Sequence, residues 1–244
     1  ENSSVATEED IAQLRADVQA LEEELLRLQA SALDQEGSSV RQFIGDGQRQ
    51  YLSGMFLGGQ RILVLMDSSA SMLDNTLVNI IRTRNMDDDR KRNAPKWQRV
   101  VKTVDWISTQ LPVTSRYQVW HFNQDHSSVL EGTTETWLEV ADRDQLNQVI
   151  AGAEQVVPQN GTNLLQVFRA ASNMNPRPDN IFLITDGLPT LGARESRDNL
   201  ITPNRRMELF EEAVEELPSG IPVNIRLMPL EGDPSAAAAY WQLA

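Results

Sequence analysis

The sequence predicts an α/β fold: a doubly wound, mainly parallel sheet with helices on both faces, plus a separate N-terminal helix. Three observations lead to this prediction. Apolar runs of strand length recur along residues 61–244, helix-spaced apolar residues separate those runs, and a heptad pattern is confined to residues 1–36. Strands that alternate with helices favour a parallel sheet, whose binding crevice lies beyond the carboxyl ends of its strands.

The N-terminal helix has apolar residues at alternating steps of three and four, which is the a/d pattern of a coiled coil. The residues of this pattern are Ile11, Leu14, Val18, Leu21, Leu25 and Leu28. It predicts a stalk or a short coiled coil that permits self-association; the alternative is an amphipathic helix packed on its own domain. A Gly- and Ser-bearing stretch follows. The predicted boundaries are therefore helix 1–36, linker 37–60 and main domain 61–244.

In the main domain, the unbroken apolar runs Ile62–Met66 and Ile181–Ile184 predict central strands that are buried on both faces. Further strands are predicted at Tyr117–Phe122, at Val223–Leu227, and as a short antiparallel edge at Val129–Leu130 and Trp137–Val140. Apolar residues at helical spacing predict the helices. These helices run through Trp97 to Leu111, Leu146 to Ala153, Leu164 to Ala171 and Met207 to Leu217.

Three polar motifs are expected at one edge of this sheet. Asp67, Ser69 and Ser71 occupy alternate positions directly after the first central strand. Thr162 lies in a Gly-Thr-Asn sequence just before a helix, and Asp186 follows the second central strand. Each motif alone is a common helix cap or turn. Their joint occurrence at the same edge instead predicts a single ion site.

The donors of this predicted site are hydroxyl and carboxylate oxygens, without His or Cys. Such hard oxygen donors suit Mg²⁺, with Mn²⁺ or Ca²⁺ as alternatives, and they do not suit zinc. Mg²⁺ retains several of its waters, so few protein ligands are needed. Because neutral hydroxyls leave the ion electron-poor, we expect it to attract a carboxylate from a partner protein.

The motif resembles the von Willebrand factor type A (VWA) family, whose metal-ion-dependent adhesion site (MIDAS) has Asp-x-Ser-x-Ser, then Thr, then Asp. The match covers about 180 residues, from near Arg61 to the C-terminus. The resemblance implies a protein-binding module that is not an enzyme, with an unknown protein ligand that presents an Asp or Glu. By resemblance, the ion contacts Ser69, Ser71 and Thr162 directly or through one water, and Asp67 and Asp186 mainly through water.

One segment departs from the family pattern. About 23 residues, Leu73 to Pro95, separate the Ser-containing turn from the first long helix, which is expected to begin near Pro95–Trp97. This segment is either a specificity insertion beside the ion or a solvated charged loop with a helical turn at Thr76–Ile81. We expect partner contacts from it and from the loop after Asp186, and the predicted partner-binding residues of that loop are Thr190, Arg194 and Arg197.

The main alternative is a Mg²⁺-dependent phosphohydrolase similar to haloacid dehalogenases, which also place an aspartate at the end of the first strand. Such an enzyme needs a second acid two residues after its nucleophile, and that position is Ser69. No lysine is expected near Thr162 or Asp186 to neutralise a phosphoryl group. The sequence therefore favours a binding module over an enzyme. A scaffold with a vestigial metal site is the remaining alternative.

Composition narrows the other function classes. A net charge of −13 argues against a nucleic-acid partner, because no basic patch is available for phosphates. The absence of cysteine excludes disulfides, thiolate metal sites and thiol catalysis. An acidic helix followed by a ligand-binding domain leads us to expect a bacterial periplasmic or cell-surface protein, tethered by an N-terminal segment that precedes this sequence.

Overall fold

The computed structural model describes residues 58–193, 201–217 and 220–244. In this part, six strands form one sheet in the order β3-β2-β1-β5-β6, and β4 also pairs with β2. The strands are β1 (Arg61–Asp67), β2 (Arg116–Phe122), β3 (His126–Ser128), β4 (Leu138–Glu139), β5 (Asn180–Thr185) and β6 (Val223–Leu227). β1 pairs in parallel with β2 and β5, and β5 pairs in parallel with β6. The predicted mainly parallel α/β fold is therefore confirmed.

Helices follow most of the strands. They are α1 (Leu77–Thr83), α2 (Asp88–Arg92), α3 (Pro95–Gln110), α4 (Arg143–Gln155), α5 (Leu164–Asn173), α6 (Pro203–Glu215) and α7 (Ser235–Leu243). A short 3₁₀ helix, Ala70–Leu73, comes directly after β1. The predicted helices correspond to α3, α4, α5 and α6. The helix α7 is missing from the prediction because its alanine-rich sequence has no clear apolar stripe.

Alternate side chains of the central strands pack into two hydrophobic cores, one on each face of the sheet. Ile62, Val64 and Met66 belong to the core that α3 and α4 cover. Leu63 and Leu65 belong to the core that α5, α6 and α7 cover. All five side chains are at most 1% exposed. The unbroken apolar run of β1 is thus explained by burial on both faces.

The antiparallel edge differs from its prediction. β3 lies a few residues before the predicted Val129–Leu130 strand, and β3 and β4 each pair with β2 instead of forming a hairpin of their own. The reason is a tight turn after β2, in which Asn123 N donates a hydrogen bond to the Asp125 carbonyl oxygen at 2.9 Å. This turn returns the chain along β2 at once.

The segment between β1 and α3 is largely helical. The helical turn predicted at Thr76–Ile81 corresponds to α1, and α2 adds a second short helix that the sequence did not predict. The long helix α3 begins at Pro95, as predicted, because proline fits the first helical position. This segment therefore brings α3 against the Ser-containing turn with a defined structure.

Some predictions fall outside the described residues. They are the N-terminal helix 1–36, most of the linker 37–60, and Arg194 and Arg197 of the predicted partner-binding loop. Of the helices in the described ranges, none combines the length and the apolar character needed to cross a membrane.

Candidate metal centre

The predicted ion ligands lie mainly at the carboxyl ends of β1 and β5. Asp67 is the last residue of β1, Ser69 and Ser71 lie at the start of the 3₁₀ helix, and Asp186 directly follows β5. Since β1 and β5 are adjacent parallel strands, their carboxyl ends meet at one edge of the sheet. Asp67, Ser69 and Asp186 are at most 2% exposed.

Hydrogen bonds join these groups into a chain. Ser69 Oγ and Ser71 Oγ are 2.8 Å apart, and Ser71 Oγ donates to Asp186 Oδ1 at 2.9 Å. Asp67 Oδ1 accepts from Ser69 N at 2.9 Å, and Asp67 Oδ2 accepts from Thr185 Oγ1 at 2.8 Å. The structure therefore brings four of the five predicted ligands into one cluster.

Thr162, the fifth predicted ligand, lies on a neighbouring loop that is tied to the Ser-containing turn. Gln159 N donates to the Ser68 carbonyl oxygen at 2.9 Å, and Ala70 N donates to the Asn160 carbonyl oxygen at 3.0 Å. Thr162 is 4% exposed. These backbone bonds hold its loop at the same edge of the sheet as the other four residues.

Lys96 is also part of the site, so the expectation that no lysine would lie near Asp186 is wrong. This residue of α3 is 1% exposed, and its Nζ donates to Asp186 Oδ2 at 2.6 Å. Nζ also donates to the carbonyl oxygens of Ser71 and Asp74, at 3.1 Å each. The ammonium group therefore has three oxygen acceptors. The error arose because the two partners are 90 residues apart in the sequence.

Burial controls the charges of the two aspartates. Burial and the nearby Asp186 carboxylate raise the pKa of Asp67 to about 7, although hydrogen bonds from Ser69 and Thr185 lower it. Burial also raises the pKa of Asp186, whereas Lys96, with smaller contributions from Ser71 and Arg206, lowers it. Because the ammonium is 2.6 Å from the carboxylate, Lys96 and Asp186 form an ion pair. Two carboxylates and one ammonium leave the site with at most one net negative charge.

Residues from the C-terminal part of the chain hold the backbone after Asp186. Asp233 Oδ2 accepts from Leu188 N and from Arg206 Nη2, at 2.8 Å in each case. Tyr240 Oη donates to the Gly187 carbonyl oxygen at 3.0 Å. A Cβ atom on Gly187 would lie 2.6 Å from Asp233 Oδ2, so a larger residue there would have to displace the Asp233 carboxylate. No motif in the sequence indicates these roles of Asp233, Arg206 and Tyr240.

Thr190 has an internal role in the structure. Its Oγ1 accepts from Thr162 N at 3.0 Å, and its backbone N donates to the Thr162 carbonyl oxygen at 3.0 Å. A Cβ atom on Gly161 would lie 2.8 Å from this Oγ1, which explains the glycine before Thr162. Thr190 therefore positions the loop of a predicted ligand. Its contact with a partner remains a prediction, as do those of Arg194 and Arg197.

A histidine lies behind the Ser-containing turn. Ser68 Oγ is 3.2 Å from His121 Nδ1, and Ser127 Oγ is 2.8 Å from His121 Nε2. Burial, with a smaller contribution from nearby His126, lowers the pKa of His121. Because both ring nitrogens have serine partners, His121 supports the turn and is not a ligand of the site.

The donor chemistry of the site fits a hard divalent cation. In the part of the chain that the structure describes, no three His, Cys, Asp or Glu side chains come together as a metal cluster. The hydroxyls of Ser69, Ser71 and Thr162 must therefore complete any donor set. Lys96 occupies Asp186 Oδ2, whereas Oδ1 contacts Ser71 and remains on the side of the hydroxyls. The residues therefore fit such an ion, with the ammonium as a competing positive charge.

No protein-family model and no curated protein sequence matches this chain. Similar solved structures include a von Willebrand factor type A protein from Catenulispora acidiphila, with 16% identity and a TM-score of 0.42 over 72% of this chain and 34% of that chain. The PilB minor pilin from Streptococcus sanguinis has 17% identity and a TM-score of 0.46 over 82% of this chain and 58% of that chain.

A third similar structure is the proximal thread matrix protein 1 of the mussel byssus, described with a zinc-occupied MIDAS motif. It has 17% identity and a TM-score of 0.36 over 70% of this chain and 38% of that chain. This chain thus spans between 34% and 58% of the length of the three proteins. At such identities the likeness concerns the fold alone. Structures similar to this chain therefore include VWA-type domains.

Proposed function

We propose that this chain is a metal-dependent protein-binding module, with a Mg²⁺ at the carboxyl ends of β1 and β5 and a partner protein that contributes an Asp or Glu. The observation that supports this proposal is the hydrogen-bonded chain from Ser69 Oγ through Ser71 Oγ to Asp186 Oδ1. Hydroxyl and carboxylate oxygens at one point are donors that hard divalent cations prefer. A bound cation would supply positive charge and an open position for the partner's carboxylate.

Charge balance gives this proposal a physical reason. Asp67 and Asp186 carry two negative charges when both are ionised, and Lys96 carries one positive charge within 2.6 Å of Asp186. The protein groups therefore neutralise only half of a divalent charge. A site that holds such an ion keeps an excess positive charge in a poorly solvated place, where an added carboxylate is strongly stabilised.

Asp67 takes part mainly by orienting the turn. Its two oxygens accept from Ser69 N and Thr185 Oγ1, so the carboxylate holds the Ser-containing turn against β5. A cation nearby favours the ionised carboxylate, so Asp67 releases any proton that it carries at neutral pH. We expect Mg²⁺ affinity to fall in acid for this reason.

The phosphohydrolase alternative gains a lysine near Asp186 and still lacks a second acid after Asp67. Lys96 supplies a positive charge near Asp186, which removes one of the two arguments against it. However, Ser69 still occupies the position where the acid–base carboxylate would be needed. Asp67 is 0% exposed, and both of its oxygens already accept hydrogen bonds, which disfavours nucleophilic attack by Asp67. We therefore propose a binding role and no enzymatic role.

We propose that two segments determine which partner binds: the segment 73–95, and the loop after Asp186, which contains Arg194 and Arg197. Arginine can form forked pairs with further carboxylates of an acidic ligand. In the segment 73–95, Asp87 and the α2 residues Asp88, Asp89 and Arg90 are exposed, so their charges can contact a partner. The proposed setting is a bacterial periplasm or cell surface.

Cation titration tests the proposal. We expect isothermal titration with Mg²⁺ or Mn²⁺ to show binding to the native chain and none to the Ser69→Ala/Ser71→Ala variant. A matched control is Thr114→Ala/Thr136→Ala, which removes two exposed hydroxyls elsewhere and should bind normally. No binding by the native chain would indicate a vestigial site, and normal binding by the serine variant would show that the site is misassigned.

A partner experiment tests the second half of the proposal. Proteins captured by the chain from its native source should be released by EDTA, and the serine variant should not capture them. A phosphatase assay with Mg²⁺ is run in parallel. Turnover that Asp67→Asn abolishes would favour the enzyme instead.

A further inference from the structure

A cavity of about 620 Å³ lies at the carboxyl end of β6, and its lining contains none of the predicted ion ligands. Its lining comes from the two residues before α1, from α3, and from the end of β6 with the loop that follows: Asn75, Thr76, Arg99, Arg226, Leu227, Met228, Pro229, Leu230 and Glu231. A hydrogen bond from Glu231 N to the Asn75 carbonyl oxygen, at 2.9 Å, closes one side. All of these residues are described, so the cavity has a defined wall.

Arg226 is the unusual member of this lining. It is half-buried on β6, and its Nε is fully buried without a hydrogen-bond partner among the described residues. A buried, charged N–H group without an acceptor is costly, so proteins almost always provide one. Arg206 shows the ordinary arrangement, since its guanidinium pairs with Asp233 at 2.8 Å. This Nε therefore lacks an internal acceptor among the described residues, and the partly exposed remainder of the Arg226 side chain lines the cavity, where a ligand can contact it.

A second guanidinium lines the same cavity. Arg99 of α3 is exposed, and its Nη2 makes one long contact of 3.4 Å with Asn75 Oδ1. This contact leaves most of the guanidinium donors available to a ligand. Two arginines that face one cavity can share a planar anion through forked hydrogen bonds.

The remaining lining limits the kind of anion. Glu231 is the one acid among the lining residues, so the wall has a net charge of one positive unit. That balance matches a monoanion and disfavours a phosphate dianion. The neighbouring Leu227, Met228, Pro229 and Leu230 offer apolar surface. We propose that this cavity binds a carboxylate attached to an apolar group, as in an acidic peptide segment of a partner protein.

No residue of this lining is a predicted ion ligand, so the proposal does not depend on metal binding. The cavity should therefore bind its ligand in EDTA. A carboxylate of this kind can come from a peptide C-terminus or from an Asp or Glu side chain. The two sources share the same chemistry, and the choice of probes distinguishes them.

The test adds each of three short peptides to the full chain in EDTA and measures binding by NMR or calorimetry. Acetyl-Leu-Leu presents a C-terminal carboxylate, acetyl-Leu-Glu amide presents a side-chain carboxylate, and acetyl-Leu-Leu amide presents none. We expect at least one acid to bind and the neutral amide to bind at least tenfold more weakly. Inorganic phosphate should compete poorly.

Two variants locate the binding. Arg226→Met and Arg99→Met should each weaken the acid at least tenfold, whereas Arg143→Met, which removes an exposed arginine of α4, should not. Without ligand, Arg226→Met should melt no lower than the native chain, since the arginine makes no hydrogen bond there through Nε. Four outcomes would each overturn the proposal. They are equal binding of the acid and the neutral amide, tighter binding of phosphate than of the acid, unchanged acid binding by the two arginine variants, and no binding of any peptide.

Discussion

The proposed ion site and the arginine cavity (the cavity lined by Arg99 and Arg226) are electrostatic opposites. The ion site has two buried aspartates, and Lys96 already neutralises one of them at 2.6 Å. The arginine cavity has a buried guanidinium nitrogen without a hydrogen-bond partner in the described part of the chain. The first region therefore has an internal counter-charge, whereas the Nε of Arg226 has no acceptor among the described residues.

This difference predicts how the stability of each region responds when a charged group is removed. A buried ion pair that loses one partner leaves an uncompensated charge, which is strongly destabilising. A buried donor that has no partner loses nothing when it is replaced by an apolar group of similar shape. The region of the ion site should therefore be stable without a ligand, whereas a bound anion should stabilise the region of the arginine cavity.

The largest expected effect is on Lys96. Replacing it with Met leaves the Asp186 carboxylate buried without its cation, so the free energy of unfolding in EDTA should fall by about 3–5 kcal/mol. Chemical denaturation measures this change. Lys96→Met/Asp186→Asn should recover most of the loss, because neither charge remains. Failure of the double variant to recover would show that Lys96 contributes through packing.

The next effect compares two arginines. Arg206→Met removes a guanidinium that pairs with Asp233 at 2.8 Å and is 17% exposed, so we expect a loss of about 1.5–3 kcal/mol. Arg226→Met should change the free energy of unfolding by less than about 0.5 kcal/mol, or increase it. Thermal melts of both variants provide the measurement. A similar loss for both would mean that Arg226 has a structural partner.

A smaller effect concerns cation affinity. Because Lys96 competes with a divalent ion for Asp186, Lys96→Met should bind Mn²⁺ about tenfold more tightly, or about 1.4 kcal/mol. Added Mn²⁺ should also raise the melting temperature of this variant more than that of the native chain. Lys102→Met, an exposed lysine on the same helix, is the control. Weaker binding by the Lys96 variant would indicate that the ammonium organises the ligands.

A pH effect of modest size is expected from His121. Burial, with a smaller contribution from His126, lowers its pKa below the usual 6.5, so the unfolded state takes up a proton more readily. The stability that His121 contributes is therefore present above pH 6.5 and is lost as the pH falls through its folded pKa. Asp67, whose pKa is raised to about 7, has the opposite effect. The stability that it contributes is present below its usual pKa of 3.8 and is lost as the pH rises to 7. The difference between the native chain and His121→Gln, measured in EDTA, isolates the histidine.

The smallest expected effect belongs to the N-terminal segment. Deleting residues 1–36 removes 10 acidic and 2 basic side chains. At about 0.15 M salt, distant charges are screened, so Mn²⁺ affinity and folding of the remaining chain should be unchanged. Weaker Mn²⁺ binding would assign part of the affinity to the acidic segment. Loss of folding would mean that the heptad pattern packs on the domain.

Local patterns made most of the sheet predictable, together with the clustering of the candidate ion ligands at its edge. Asp67, Ser69 and Ser71 lie within five residues of each other after an apolar run, so strand and turn are visible together. Lys96 could not be placed in the same way, because its contact with Asp186 depends on how α3 packs against β1. A lysine beside the apolar stripe of α3 was the available signal. Asp233 and Arg206 also reach the site from distant parts of the sequence.

The bond between Tyr240 and Gly187 has a consequence for how the chain can be cut or fused. Tyr240 lies 53 residues after Gly187 in the sequence, yet its hydroxyl donates to the Gly187 carbonyl oxygen, next to Asp186, at 3.0 Å. Asp233, from the loop before the same helix, fixes the next amide. During synthesis from the N-terminus, the loop that carries Asp186 is therefore fixed only after Asp233 and Tyr240 have been made. Shortened fragments that end before α7 should keep the sheet's central strands but lose the fixed position of Asp186.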